Sequence, residues 1–149
     1  MTDFWFATTC NRPRIHDPAA VQQILDQYRF DWDLLVETAT DDEGQDRFVI
    51  EGDGWPGAWV KSPDYSPDDE PDFPTDGMQE FEALLSSIAP HLAEPLIVQA
   101  IGFNQGRFPL SACEWQVHPG WKTIAKTEFS QSATLQAVDL PLSGLRIPA

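Results

Sequence analysis

The fold is decided by a stretch that reads DPAAVQQILDQY over residues 17–28. Its large apolar side chains recur at i, i+3, i+4 and i+7, which is the spacing of one apolar stripe along an α-helix. These positions are Val21, Ile24, Leu25 and Tyr28. Asp17 is a favourable N-cap and Pro18 a favourable first helical residue, so the sequence also predicts where this helix begins.

The same spacing returns in the second half of the chain. A second helix is predicted ahead of Pro90, with its stripe at Phe81, Leu84, Leu85 and Ile88. Three strands separated by turns are predicted after each helix. They cover residues 34–36, 48–50 and 58–60 in the first half, and 96–98, 110–112 and 123–125 in the second. The unit α-β-β-β therefore occurs twice, through duplication or through a chance match of common elements.

Two further strands flank these units. Phe4, Phe6 and Thr8 alternate with their neighbours near the start of the chain, and residues 134–139 alternate near its end. We expect both strands at the margins of the sheet. The predicted fold is a single α+β domain over residues 1–149, with a mainly antiparallel sheet, continuous or split in two, and two helices packed on one face.

The composition is that of a folded chain. Apolar residues make up 42% of the 149 residues, which is too high for a disordered acidic tail. Cys10 and Cys113 lack the spacing of a zinc site or a disulfide framework, so we expect them to be reduced and buried. The start of the sequence has no cationic leader, and no apolar run is long enough to span a bilayer. We therefore expect a cytoplasmic protein that does not bind membranes.

Charge is the strongest functional signal. The chain has 24 acidic residues against nine lysines and arginines, a formal net charge of −15. Such a surface repels polyanions and attracts basic partners, so direct binding to nucleic acid is disfavoured. A proline-rich acidic connector over residues 62–76 is predicted between the two halves. It contains Asp68, Asp69 and Glu70.

A second group of carboxylates surrounds the first predicted hairpin. Alternate residues of a strand lie roughly 6.6 Å apart, a spacing comparable with that of phosphates along a nucleic acid, and Asp31, Asp33 and Glu37 alternate in this way. Carboxylates placed so are expected to occupy a groove that neutralises phosphates. The predicted contact set is Asp31, Asp33, Asp41, Asp42, Glu43 and Asp53, with Trp55 as an aromatic anchor and Asp68, Asp69 and Glu70 as auxiliary contacts.

These features predict a non-enzymatic acidic binding or inhibitor protein that imitates a nucleic acid and blocks a basic partner. In size and acidity the chain is similar in kind to anti-restriction and anti-CRISPR proteins and to immunity proteins of nuclease toxins, although no motif carries the likeness. We expect no catalytic residue, no metal site and no cofactor, because the histidines, cysteines and glycine turns match no such pattern.

Two alternatives stay open. The acidity is also what a saline cytoplasm imposes on its proteins, and in that case it carries no functional information. The second alternative is a small enzyme or ligand-binding module that uses Cys113 as a nucleophile and His118 as its base, since such a pair needs only spatial contact.

Overall fold

The computed structural model describes residues 4–62, 66, 76–104, 108–120 and 124–130. Within them the chain forms two helices and eight strands, which confirms the predicted α+β class. The elements are β1 (Phe4–Cys10), α1 (Pro18–Leu25), β2 (Tyr28–Phe30), β3 (Leu34–Thr40), β4 (Asp46–Gly52), β5 (Ala58–Val60), α2 (Met78–Ile88), β6 (Leu96–Asn104), β7 (Phe108–Val117) and β8 (Ala125–Ser130). A 3₁₀ turn at Ala89–His91 follows α2 directly.

Six of the strands form one antiparallel sheet in the order β3-β4-β1-β6-β7-β8. The expectation that β1 lies at the margin of the sheet is therefore wrong. The hairpin β3–β4 leaves one edge of β4 unpaired, and the hairpin β6–β7 leaves one edge of β6 unpaired. β1 lies between these two edges and pairs with the backbone groups of both strands. Thr8 in β1 pairs with Gly52 on one side and with Ala100 on the other.

The repeat predicted from the sequence is not confirmed, because the third strands of the two halves behave differently. β8 pairs with β7 at the outer edge of the main sheet, whereas β5 leaves that sheet and pairs with β2. Both edges of β4 are already occupied by β3 and β1, so β5 has no edge of β4 to join. Residues 121–123 and the strand predicted over residues 134–139 lie outside the described residues.

Helix α1 begins where the sequence predicts. The Asp17 carboxylate accepts a hydrogen bond from the Ala20 N–H over 3.1 Å, and Pro18 is the first helical residue. The predicted apolar stripe extends beyond the helix, since α1 ends at Leu25 and Tyr28 begins β2 instead. In α2 the whole stripe is buried, and Pro90 falls in the 3₁₀ turn just after the helix.

Both helices contribute to one core on the same face of the sheet. Val21 and Leu25 of α1 and the stripe of α2 pack against side chains of β3, β4, β6 and β7. Trp115 of β7 is fully buried, and its ring meets that of Phe81 edge to face with centroids 5.2 Å apart. Full burial of each such side chain contributes about 1.5–3 kcal/mol. Neither helix of the described residues has the length and apolar character that crossing a membrane requires.

Candidate partner-binding surface

The connection between β2 and β3 is a turn that Asp31 holds together. Its carbonyl oxygen accepts a hydrogen bond from the Leu34 N–H over 3.0 Å. Its carboxylate accepts from the Asp33 N–H over 3.0 Å and from the Trp55 N–H over 3.3 Å. The bond from the Trp55 N–H connects the turn to the segment after β4, so Asp31 fixes the turn and this segment relative to each other.

This turn corrects one prediction. Asp31 and Asp33 precede the first residue of β3, Leu34, so they do not alternate along a strand face with Glu37. The sequence pattern was compatible with a strand because Asp-Trp-Asp alternates polar and apolar side chains. The Asp31 carboxylate binds local backbone N–H groups instead, which favours a turn.

Two glycines bring the segment after β4 close to this turn. Gly52 has φ +139°, and a Cβ atom there would lie 2.0 Å from the Asp33 carbonyl oxygen. A Cβ atom at Gly54 would lie 2.7 Å from the Leu34 nitrogen. Only glycine permits this approach of two backbones. The approach sets Asp53, which lies between the two glycines, next to the backbone of Asp33.

Trp32 projects from the middle of the turn and is 79% exposed, compared with 61% for Val60 and 45% for Leu35. Asp33 and Asp53 are exposed beside it, and Asp31 is half-buried. We call these four residues, Asp31, Trp32, Asp33 and Asp53, the Trp32 surface. An exposed indole beside carboxylates makes Trp32 the candidate aromatic contact of this surface.

In the part of the chain that the structure describes, the carboxylates of the Trp32 surface have no ion-pair partner. Within the described ranges, no lysine or arginine lies within ion-pair distance of Asp31, Asp33 or Asp53. Arg29, the nearest cation along the chain, lies in β2 and is paired in register with Trp59. The negative potential at this end of the β3–β4 hairpin therefore extends into the solvent.

At the other end of the hairpin, Asp41 organises the turn between β3 and β4. Its Oδ1 atom accepts hydrogen bonds from the N–H groups of Glu43 and Gln45, each over 2.9 Å, and its Oδ2 atom accepts from Arg47 Nε over 2.9 Å. The bond from the Gln45 N–H, followed by that from Arg47, lowers the pKa of Asp41. This carboxylate is thus used within the turn, while Asp42 and Glu43 are exposed.

Cations gather near this turn. Arg12, Arg14 and Arg47 are three of the nine lysines and arginines of the chain. Arg12 pairs with Glu51 over 2.5 Å, and Glu94 pairs with Arg14 over 2.8 Å and with Arg47 over 3.6 Å. A shallow pocket of about 310 Å³ lies here, lined by Asn11, Arg12, Ala39, Thr40, Asp41, Arg47 and Val49. The three guanidinium groups already have carboxylate partners, whereas no ion pair of the described residues includes Asp42 or Glu43.

The predicted contact residues therefore fall into two groups. Asp31, Asp33 and Asp53 come together at the open end of the hairpin, and Asp41, Asp42 and Glu43 lie at its turn. β3 separates the groups by roughly 20 Å, given its rise of about 3.4 Å per residue. Asp68, Asp69 and Glu70 lie outside the described residues, as does most of the predicted connector, of which only Ser62, Ser66 and Asp76 are described.

The aromatic residue that the structure exposes beside the carboxylates is Trp32. The predicted anchor, Trp55, is half-buried, and its indole N–H donates a hydrogen bond to the Asp76 carbonyl oxygen. The role of Trp55 as an anchor stays a prediction. Sequence reasoning missed Trp32, because the alternation Asp-Trp-Asp is also the pattern of a half-buried strand with its indole in the core.

The alternative based on Cys113 gains no support from its surroundings. Burial raises the pKa of the Cys113 thiol to about 12, so the thiol is protonated at neutral pH and is a poor nucleophile. Burial also raises the pKa of Cys10. Cys113 lies in β7, while His118 follows the end of that strand, and five strand residues span roughly 17 Å.

In the described part of the chain, no group of three or more histidine, cysteine, aspartate or glutamate side chains is placed to hold a metal ion. Comparison of the chain with protein-family models, with curated proteins and with solved structures finds no match.

Proposed function

We propose that this chain is a non-enzymatic binding protein that uses the Trp32 surface to cover a cationic surface of a basic protein. The observation that carries the proposal is an indole 79% exposed to solvent, among carboxylates without a described cation in ion-pair distance. Tryptophan is the residue most favourable for stacking with arginine or lysine, and it is enriched among residues that dominate binding energy.

The chemistry of the partner follows from what the surface presents. Trp32, Asp33 and Asp53 place a flat ring beside two exposed anionic groups, the combination that a nucleotide presents as base and phosphate. A protein groove lined by lysine or arginine for phosphates and by aromatic or guanidinium planes for bases complements this arrangement. The partner is therefore a nucleic-acid-binding protein, and occupation of its groove inhibits it.

The test begins with capture of the partner by the immobilised chain from a lysate of the native host, and continues with affinity measured on the purified pair. Trp32→Ala is expected to weaken binding by about thirtyfold, the effect of losing roughly 2 kcal/mol at a central contact. The combined variant Asp33→Asn and Asp53→Asn should also weaken binding, and should reduce the loss of affinity on raising salt.

The matched control removes the same number of charges at the far end of the hairpin, through Asp42→Asn and Glu43→Gln. Binding should respond much less to this control. Equal loss in both double variants would mean that net charge alone attracts the partner. A chain that folds only in concentrated salt and captures no basic protein would overturn the proposal in favour of acidity as an adaptation to salinity.

A further inference from the structure

We propose that the outer edge of β3 accepts an extended basic segment of the partner as an additional strand of the main sheet. This inference rests on the proposed function and names how the partner is held. β3 is a terminal strand of the six-stranded sheet, and addition of a strand to an exposed sheet edge is a general mode of peptide recognition.

The register of the hairpin shows which backbone groups face outward. The Asp41 N–H donates to the Gln45 carbonyl oxygen over 2.9 Å, and hydrogen-bonded pairs alternate from there along an antiparallel ladder. Leu35, Glu37 and Ala39 therefore bond to β4. The backbone N–H and C=O groups of the alternate residues point away from β4, and these residues are Val36, Thr38 and Thr40.

Contacts of β4 support this alternation. Phe48 is the register partner of Thr38, and its N–H donates to the Pro13 carbonyl oxygen over 3.0 Å, away from β3. Among the described residues, no backbone group pairs with the outward groups of Val36, Thr38 or Thr40. These residues offer an added strand up to three N–H donors and three carbonyl acceptors.

Side chains along β3 define the chemistry of the added strand. Leu35 and Glu37 lie on the sheet face opposite the helices, and Leu35 is 45% exposed. Opposite neighbours on paired strands interact directly, so a cation beside Glu37 on this face and an apolar residue beside the half-buried Val36 on the other face are favoured. The edge also runs from the Trp32 surface at one end to the exposed Asp42 and Glu43 at the other.

A second copy of this chain is a poor occupant. Each copy has a net charge of −15, and pairing of two β3 edges would bring the carboxylates of Glu37 and of both hairpin ends together. Like charges placed opposite each other on paired strands are destabilising. Charge complementarity therefore favours a segment in which basic and apolar residues alternate.

The test uses a short synthetic peptide that alternates lysine and valine, with full-length protein in dilute buffer. Hydrogen exchange is measured residue by residue with and without the peptide. The amides of Val36, Thr38 and Thr40 are expected to slow by about tenfold or more on saturation, whereas those of Leu35, Glu37 and Ala39, already bonded to β4, should change little. The same peptide with methylated backbone nitrogens has equal charge and should give no such protection.

Thr38→Pro provides a second measurement, because proline removes one outward N–H at an edge position that tolerates it. It should weaken binding of the peptide, whereas Thr38→Val, which loses the hydroxyl that donates to Gln22 Oε1 over 3.4 Å but keeps the backbone N–H, should not. If Thr38→Pro fails to fold, the exchange of the unaltered chain decides alone. Peptide binding that leaves Val36, Thr38 and Thr40 unprotected would overturn the added strand but leave the proposed function standing. If the chain binds neither this peptide nor any captured basic protein, the added strand and the proposed function are both overturned.

Discussion

The backbone of Gly52 lies so close to that of Asp33 that a Cβ atom on Gly52 would be 2.0 Å from the Asp33 carbonyl oxygen. This contact joins the end of β4 to the turn that presents Trp32. The stability of the fold and the shape of the Trp32 surface therefore depend on the same pair of residues.

Gly52→Ala should destabilise the protein by about 2–4 kcal/mol, because the added methyl group meets backbone atoms and the residue keeps a positive φ. Gly44→Ala is the matched control. Gly44 also has a positive φ, +80°, but a Cβ atom there would have no neighbour within 4 Å, so a loss of about 1 kcal/mol is expected. Urea unfolding measures both. Equal losses would contradict the close approach.

Removing the Glu82 carboxylate should lower stability, because a buried indole N–H then loses its hydrogen-bond acceptor. Trp115 is fully buried, and its Nε1–H donates to Glu82 over 2.9 Å. Glu82→Leu leaves this donor unpaired and should cost about 1–3 kcal/mol. Glu82→Gln keeps a carbonyl oxygen there and should cost less, although it weakens the 2.8 Å ion pair with Lys126. Equal unfolding free energies for the two variants would argue against this hydrogen bond.

Asp41 should contribute to acid sensitivity. Folding lowers its pKa below the ordinary 3.8, chiefly through the Gln45 N–H, so its contribution to stability is present above that value and is lost as the pH falls through the pKa of the folded state. Asp41→Asn should reduce stability at neutral pH and flatten the acid limb of the stability curve. Asp42→Asn, whose side chain accepts none of these bonds, serves as control and should reduce stability at neutral pH by less, as urea unfolding measures.

Cys113 should be unreactive in the folded protein. Burial raises its pKa from 9.0 to about 12, so alkylation by iodoacetamide at pH 8 should be slow when folded and fast in urea, as read by mass spectrometry. The same shift means that its contribution to stability is complete below pH 9 and is lost as the pH rises toward 12. Formation of a native thiolate near pH 9 would refute this.

The Trp32 surface should lower stability in dilute buffer, because its carboxylates repel one another without a described cation beside them. Asp33→Asn combined with Asp53→Asn is expected to raise the urea midpoint at low salt, and the gain should disappear when salt screens the repulsion. A gain that persists in concentrated salt would have a cause other than charge.

Local patterns in the sequence predicted the local elements. The stripe of α2 and the Asp17 cap depend on residues within a few positions of each other, and both predictions are confirmed. The place of β1 was not predictable in this way, since its pairing with β4 and β6 is decided by which edges the two hairpins leave unpaired. The same limit applies to β5, whose partner is β2.

The candidate site was predicted only in part. Asp31, Asp33 and Asp53 were identified by charge, but their separation from Asp41, Asp42 and Glu43 results from the length of β3 and from turn hydrogen bonds. The exposure of Trp32 depends on a turn that the alternating pattern concealed. Which tryptophan remains outside the core is a tertiary property, because each of the six indoles is suitable for burial by composition.

The central position of β1 also affects how the chain folds during its synthesis. β1 cannot pair with β6, in which Ala100 is the register partner of Thr8, until β6 has been synthesised. Most of the polypeptide has therefore left the ribosome before the main sheet can form. Contacts so distant along the chain slow folding and prolong exposure of unpaired strands to aggregation. Cutting the protein between its halves should yield fragments that assemble when mixed, rather than two independent domains.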